Sequence, residues 1–323
     1  MIWLVEEGIG EQRAIRYDNE TAGAARIYWP GQATAGQIAD AKLISRVKGS
    51  SRGTAEMPGG EQVLVSKLPR DIAEGSAITI EITRSRIGES GRIKRAQARP
   101  SDKLVCPAPT LAEDLRNSGH EVQVVRQFPD DDWEGIWGDA WSGSYDFKGG
   151  SLFISPTPAM ILIDIDGDGS PKDLALAACA PVARAIRLFD LGGSIGIDFP
   201  TVEEKASRKA VDAALLEALD DWPHEQTAMN GFGLVQIVAQ MTAPSLMHRL
   251  TFSRAEAAAR LLLRRAEEVV DPGTIEMRCH PSVAAKISEE WRSELGKRTG
   301  RHTRIETDPT LAREAAFAQA VPL

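Results

Sequence analysis

Hydrophobic and polar positions alternate from the start of the chain. IWLVEE and AARIYW, within residues 2–29, predict two strands with a turn at Gly8–Gly10. GQATAGQ then breaks the pattern. Four short β-like runs follow, AKLISRV, QVLVSKL, AITIEITRSRI and RIKRAQA, with turns at KGSSRG, PGG and EGS. Short strands at this spacing predict a small barrel.

After residue 110 the period changes. TLAEDLRNSGH predicts a short helix ending near Gly119, EVQVVRQF a strand, and DDDWEGIWGDAW a helix. Trp133, Trp137 and Trp141 fall four apart on one face of that helix and read as packing, with Asp130–Asp132 at its positive end. ILID is an apolar run that reads as a buried strand ending at Asp164. DLALAACAPVARAIRLFDLGG is a helix closed by Gly192–Gly193, with a kink expected at Pro181. SIGIDF is the next strand, and TVEEKASRKAVDAALLEAL a helix opened by a capping box from Thr201 to Glu204. Strand, helix, strand, helix implies parallel strands in a layered α/β unit. Asp164 and Asp198 then share the C-terminal edge of neighbouring strands, where open α/β sheets place their sites. From 253 come a helix rich in Ala, Leu and Arg, the strand TIEMRCH, a single helix SVAAKISEEWRSELGKR and the strand HTRIETD, read as a small terminal α/β domain.

With 323 residues the chain has room for two domains or three small ones, and 42% hydrophobic residues supply a core. No run approaches the roughly 18 apolar residues of a membrane span. MIWLVEEGIGE carries acids where a secretory signal has a basic region, so a cytoplasmic location is expected. The three cysteines, Cys106, Cys179 and Cys279, form no Cys-x-x-Cys, which argues against a disulfide frame or a structural zinc site. Adjacent Cys279 and His280 are poor chelation geometry. Net charge is −8, but residues 42–99 hold 12 Lys/Arg against 6 Asp/Glu, so this stretch is +6 and the rest −14. A basic module in an acidic chain is what a polyanion-binding element shows, and also what a solvated sheet face shows. With the strand pattern it suggests an OB-type barrel, yet residues 31–99 contain no Phe, Trp or Tyr for base stacking.

ILIDIDGDGS, residues 161–170, invites a calcium-loop reading. Asp164, Asp166, Asp168 and Gly169 match EF-hand positions 1, 3, 5 and 6, but position 12 is Ala175, and the loop is entered from a strand. Two carboxylates at adjacent strand ends suit Mg²⁺ instead, which takes oxygen ligands and keeps waters and a substrate phosphate. Asp166, two residues on and on the same strand face, is placed to hold a metal water. The competing reading leaves all three acids as loop-edge residues.

These residues resemble the bacterial ribonuclease E/G endoribonucleases, most clearly over residues 145–250. GGSLFISPTPAMILIDID is similar to the strand that brings in that family's first catalytic aspartate. AACAPVARAIRLFDLGGSIGIDF resembles its helix, Gly-Gly and strand leading to the second, with Arg184, Arg187, Leu188, Asp190, Leu191, Gly192, Gly193, Ile197, Asp198 and Phe199 in register. FGLVQIVAQMTAPSL resembles its closing segment. The N-terminal third is similar to a split core domain with an inserted OB barrel. The resemblance implies a layered α/β fold in four parts: 1–30 with 101–148, a barrel over 31–100, a catalytic α/β domain over 149–248, and a C-terminal domain over 249–323.

It also implies a Mg²⁺-dependent endoribonuclease acting on single-stranded RNA. Asp164 and Asp198 would be the metal ligands, and Asp166 would stand where the family has Asn. Metal-activated water would leave 5′-phosphate and 3′-hydroxyl ends. Lys42, Arg46, Lys48, Arg84, Arg86, Arg92, Lys94 and Arg95 would guide the RNA backbone. Four departures mark this chain. PSL at 244–246 runs on without the family's cysteine-bearing zinc link, so no zinc-linked assembly is expected, while a homodimer remains open. PSDKLVCPAPT between Arg99 and Leu111 is too short for a segment that senses an RNA 5′ monophosphate. RGTAEMPGGEQVLV stands where the barrel's stacking aromatics would lie. Asn230–Gly231 replaces a basic residue before Phe-Gly. The rival is an RNA-binding homologue without turnover.

Overall fold

A computed structural model describes residues 1–322. The chain opens with a meander of three strands, β1 (Ile2–Gly8), β2 (Glu11–Asp18) and β3 (Thr21–Tyr28), where the alternation predicted two. The second turn lies at Asn19–Glu20, both left-handed at φ 51° and 67°. No glycine announces it, because Asn adopts that conformation readily.

The barrel holds β4 (Ile38–Arg46), β5 (Gly53–Glu56), β6 (Gln62–Val65) and β7 (Ala77–Arg84), a side hairpin of β8 (Ile87–Glu89) and β9 (Arg92–Lys94), and β10 (Gln97–Pro100). It closes in the order β10-β6-β5-β4-β7, with β10 parallel to β6 and antiparallel to β7. This is the five-stranded Greek-key barrel of the OB type. Leu43, Val63, Val65, Ile80 and Ile82 form its own core, separate from the rest of the molecule. β5 was not foreseen: GTAE is too short and too small to announce a strand.

After the barrel, α1 (Leu111–Asn117) begins with a capping box between Thr110 and Glu113, and β11 (Val122–Val125) pairs parallel with β1. The first sheet, β11-β1-β2-β3, is thus built from both sides of the barrel. On α2 (Asp132–Ser142) all three tryptophans are buried, and Trp137 stacks on Trp141 at 4.7 Å.

The largest sheet contains β12 (Ser144–Phe147), β13 (Gly150–Pro156), β14 (Ile161–Gly167), β15 (Gly193–Asp198), β16 (His224–Gln226) and β17 (Leu234–Ala239), in the order β12-β13-β14-β15-β17-β16. α3 (Pro171–Leu188) joins β14 to its parallel neighbour β15, and α4 (Lys205–Ala218) packs beside α3. Ile161, Ile163, Ile165, Ile195, Ile197, Val235 and Ile237 face the core. The alternate residues Leu162, Asp164, Asp198, Leu234 and Val238 stand exposed. One face of this sheet is therefore covered and the other is open.

Three local expectations are corrected here. β14 continues beyond Asp164 to Gly167, because β13 pairs with it as far as Gly150. The final approach leaves no room for a Cβ: one on Gly167 would meet the Gly149 carbonyl at 2.4 Å. α3 is assigned without a break through Pro181. The capping box at Thr201 does not form; α4 starts at Lys205 after Glu204. Val202 is buried, which holds 201–204 extended, and Arg208 Nη1 takes the carbonyls of Val202 and Glu203 at 2.8 and 2.6 Å.

The remainder comprises α5 (Leu246–Phe252), α6 (Arg254–Glu267), β18 (Thr274–Cys279), α7 (Pro281–Ala284), α8 (Glu289–Thr299), β19 (Thr303–Thr307) and β20 (Phe317–Val321). The one helix expected over 282–298 is two, since Ser288 caps α8 by accepting from Trp291 N at 3.2 Å. β20, also unforeseen, pairs with β18. α6 lies against the first sheet through buried ions: Arg264 Nε and Arg13 Nε each stand 3.2 Å from Glu6 Oε1. Among the described residues no helix is long and apolar enough to cross a membrane.

Candidate functional site

Asp164 and Asp198 are register partners on β14 and β15. Paired residues of a parallel ladder point to the same face, about 4.8 Å apart between strands. Both side chains are exposed, and neither has a hydrogen-bond or ion-pair partner among the described residues. Two unneutralised carboxylates side by side repel one another, so their placement adds nothing to stability and favours a cation between them.

Asp166 stands one pleat further on the same open face, opposite Ser151, and its Oδ1 accepts from Gly167 N at 2.9 Å. Asp168 lies past the strand end, where its N–H donates to the Gly149 carbonyl at 3.1 Å. The extended backbone keeps Asp164, Asp166 and Asp168 from curling around one ion, and Ala175 is fully buried in α3. The calcium-loop geometry is absent. No group of three His, Cys, Asp or Glu side chains among the described residues could hold a metal together. The site is a pair, the ligand count Mg²⁺ accepts when waters and a substrate phosphate complete its shell.

The acid pair has aromatic neighbours that the sequence reading passed over. Phe153 on β13 is the register partner of Asp164 and is 47% exposed. Leu234 is the partner of Asp198, and Phe232, two residues earlier, is 84% exposed. The turn before Leu234 is held by Asn230, whose Oδ1 accepts from Phe232 N at 2.8 Å and Leu234 N at 3.1 Å. Gly233 presses on the backbone after Asp198: a Cβ there would meet the Phe199 carbonyl at 2.2 Å, at φ +93°. The signal was available in GSLFISP, where period-two alternation puts Phe153 opposite the buried Leu152 and Ile154.

The barrel docks at the other end of this sheet. Ser85 N donates to the Thr242 carbonyl at 2.8 Å, just past β17, whose far end pairs with Gly193 rather than Asp198. The β8–β9 hairpin rests on α5. β15 therefore separates this junction from the acid pair by its length, about 20 Å.

Most of the basic residues singled out from the sequence are engaged inside the protein. Arg46 Nη1 donates to the Pro69 and Ile72 carbonyls at 2.8 and 2.7 Å. Arg84 donates to the Arg95 carbonyl at 3.0 Å, and burial pushes its guanidinium below the usual range. Arg86 donates to Gln32 at 2.8 Å. Arg92 and Lys94 share Glu89. Burial pushes the Glu89 carboxyl up, but Lys94 and Arg92 outweigh it and hold it below the ordinary carboxylate value. Lys42, Lys48 and Arg95 are exposed, with no side-chain partner among the described residues.

Residues shared with the resemblance also carry structure. Arg187 ties α3 to the end of α4 through the Ala218 carbonyl at 2.9 Å and through Asp221. Asp190 takes a left-handed turn at φ 50° ahead of Gly192–Gly193.

Residues 145–242, which carry β12 to β17 and both aspartates, match the Ribonuclease E/G family. Over these residues the chain is similar to that family. It is similar to ribonuclease E of Escherichia coli (35% identical over 110 residues, 31% of this chain and 10% of that protein). It is similar to ribonuclease G of the same organism (33% over 115 residues, 32% of this chain and 23% of that protein). A "Ribonuclease E/G-like protein, chloroplastic" of Arabidopsis thaliana is 31% identical over 112 residues, 31% of this chain and 11% of that protein. The chain thus spans less than a quarter of the length of these relatives, and what they share is the ribonuclease E/G sheet.

Proposed function

We propose that this protein is a Mg²⁺-dependent endoribonuclease of single-stranded RNA. The observation that carries the proposal is the pair Asp164 and Asp198, register partners, exposed and unpaired, inside the segment that matches the family. Mg²⁺ between them would neutralise charge building on the phosphodiester and acidify an attacking water. Asp166, held by Gly167 N, orients water on the open face. Attack on phosphorus breaks the bond to the 3′ oxygen, leaving a 5′-phosphate and a 3′-hydroxyl.

Single strands are favoured by the aromatics. Phe153 and Phe232 flank the acids on an uncovered face, where unpaired bases can stack and duplex bases cannot. Lys42, Lys48 and Arg95 attract the backbone without reading sequence.

The deciding experiment incubates the purified protein with labelled single-stranded RNA, with and without Mg²⁺. Metal-dependent internal cleavage supports the reading. RNA retention without cleavage would support the rival, a binding homologue without turnover.

A further inference from the structure

At the barrel end of the largest sheet, far from Asp164, five parts of the chain meet around a cavity of about 510 Å³. Trp29 comes from the end of β3, Arg86 and Arg92 from the barrel hairpin region, Arg249 from α5, Arg260 from α6, and Lys286 from the C-terminal segment. Five cations line it against two carboxylates, and both carboxylates are occupied: Glu89 by Arg92 and Lys94, Glu256 by Lys286.

Arg249 is the unexplained member. It is 7% exposed, its buried Nε has no partner, and its guanidinium has no hydrogen-bond acceptor among the described residues. Its guanidinium lies over the indole of Trp29, 4.8 Å from the ring centre. Arg260 stands over the same ring at 4.0 Å and over Trp291 at 4.7 Å, but it also donates to the Gly10 and Glu256 carbonyls at 2.8 and 3.0 Å. Burial, then repulsion from Arg260, pushes Arg249 down to about 10, so it stays cationic at neutral pH. Glu11 and Asp190 attract it, but Glu11 already accepts from Trp29 Nε1 at 3.0 Å and pairs with Arg13 at 3.3 Å, and Asp190 pairs with Arg26 at 3.5 Å. Burying a guanidinium without an acceptor is costly, and a cation–π contact returns only part of that.

We propose that this cavity binds the phosphate group of a nucleotide, seated on the Arg249 guanidinium. A guanidinium fork matches phosphate oxygens in geometry as well as charge. The cavity's size suits a small ligand. The barrel contributes its fourth-to-fifth strand connection, β8–β9, one of the two loops with which OB barrels take oligonucleotides. A phosphate here would also join barrel, α5 and C-terminal segment into one body.

Phosphate could arrive on a free nucleotide or on an RNA strand. The test titrates the intact protein at constant ionic strength with inorganic phosphate, with UMP, and with a short RNA lacking terminal phosphates. Tryptophan emission, to which Trp29 and Trp291 contribute among the seven tryptophans, and the unfolding midpoint are followed. Saturable binding of at least one probe is expected, with affinity weakened about tenfold or more in Arg249→Gln. Displacement of UMP by the RNA assigns the phosphate to a strand; binding of phosphate and UMP alone assigns it to a free nucleotide. No saturable response to any probe at millimolar concentration overturns the site, as does unchanged affinity in a folded Arg249→Gln. If that variant does not fold, Arg249→Lys, which keeps the charge and removes the guanidinium fork, carries the test, and unchanged affinity in it overturns the site. Asp164→Asn should bind phosphate as the parent does, so this site and the cleavage site fail separately.

Discussion

The open edge of the largest sheet and the surface of the barrel are built on opposite principles. At the sheet edge, Asp164 and Asp198 are exposed and carry no internal partner. On the barrel, Arg46, Arg84, Arg86, Arg92 and Lys94 have acceptors within the protein. A charge that folding leaves unsatisfied is available for a ligand; one that folding uses holds a turn or a hairpin. Counting charges along a sequence cannot separate the two. The +6 of residues 42–99 overstates what the barrel offers RNA. The two carboxylates of the sheet edge are both free for a cation.

The sharpest break of this contrast removes the free carboxylates. Asp164→Asn or Asp198→Asn should cut cleavage by about a thousandfold or more, since an amide is a far poorer Mg²⁺ ligand. The unfolding midpoint should hold or rise, because two neighbouring like charges become one. Retained cleavage in either folded variant would end the metal reading.

Acid should loosen the barrel junction. Burial, with Lys94 adding to it, pushes His248 on α5 down to about 4. The unfolded chain takes up this proton near the ordinary value of about 6.5, so stability is whole above that pH and falls as pH drops toward 4. The loss amounts to up to about 3 kcal/mol. His248→Phe should flatten the decline between those limits in urea titrations; an undiminished decline would place the cause elsewhere.

Removing the free cations of the barrel tests its share in binding. Changing Lys42, Lys48 and Arg95 together to Ala should lower the salt slope of single-strand affinity by about two, at roughly 0.7 per phosphate contact. RNAs of different sequence should be affected alike. A constant slope would mean that RNA does not reach these three.

Phe153→Ala and Phe232→Ala should each weaken single-strand cleavage about tenfold, within the ~1–3 kcal/mol of a stacked base. Phe232 is largely solvated and Phe153 about half, so stability should change little. Equal activity in both would leave the aromatics without a part in substrate binding.

Much of this was legible in the sequence where physics is local. Strand–helix–strand periodicity placed Asp164 and Asp198 on one edge, because parallel neighbours joined by a helix must share their C-terminal ends. The Trp133, Trp137 and Trp141 face was legible from spacing alone. What escaped depended on distant partners. The turn at Asn19–Glu20 has no glycine, and Thr201 failed as a cap because Val202 is drawn into the core. Phe153 belongs beside Asp164 only through the register of β13 with β14. That five barrel cations were occupied could not be read either: their acceptors are Gln32, Pro69, Ile72, Glu89 and a backbone carbonyl, at separations that periodicity does not encode.

Arg46 offers the finest cut between a cation used by the fold and one left for RNA. It sits at the end of β4, and its Nη1 binds the carbonyls of Pro69 and Ile72, clamping the β6–β7 connection against the barrel. Hydrogen bonds from a charged group contribute about 1.5–3 kcal/mol in favourable settings and less at a half-exposed site such as this. Arg46→Met keeps much of the alkyl stem and removes the donors. It should lower barrel stability by about 1 kcal/mol, read from the denaturant midpoint. The salt slope for single-stranded RNA should not move, since a guanidinium committed to two carbonyls releases no counterion when RNA binds. A slope reduced by one phosphate's worth would show that Arg46 leaves its carbonyls for the RNA backbone, and the division between used and free cations would then fail at the residue that states it most simply.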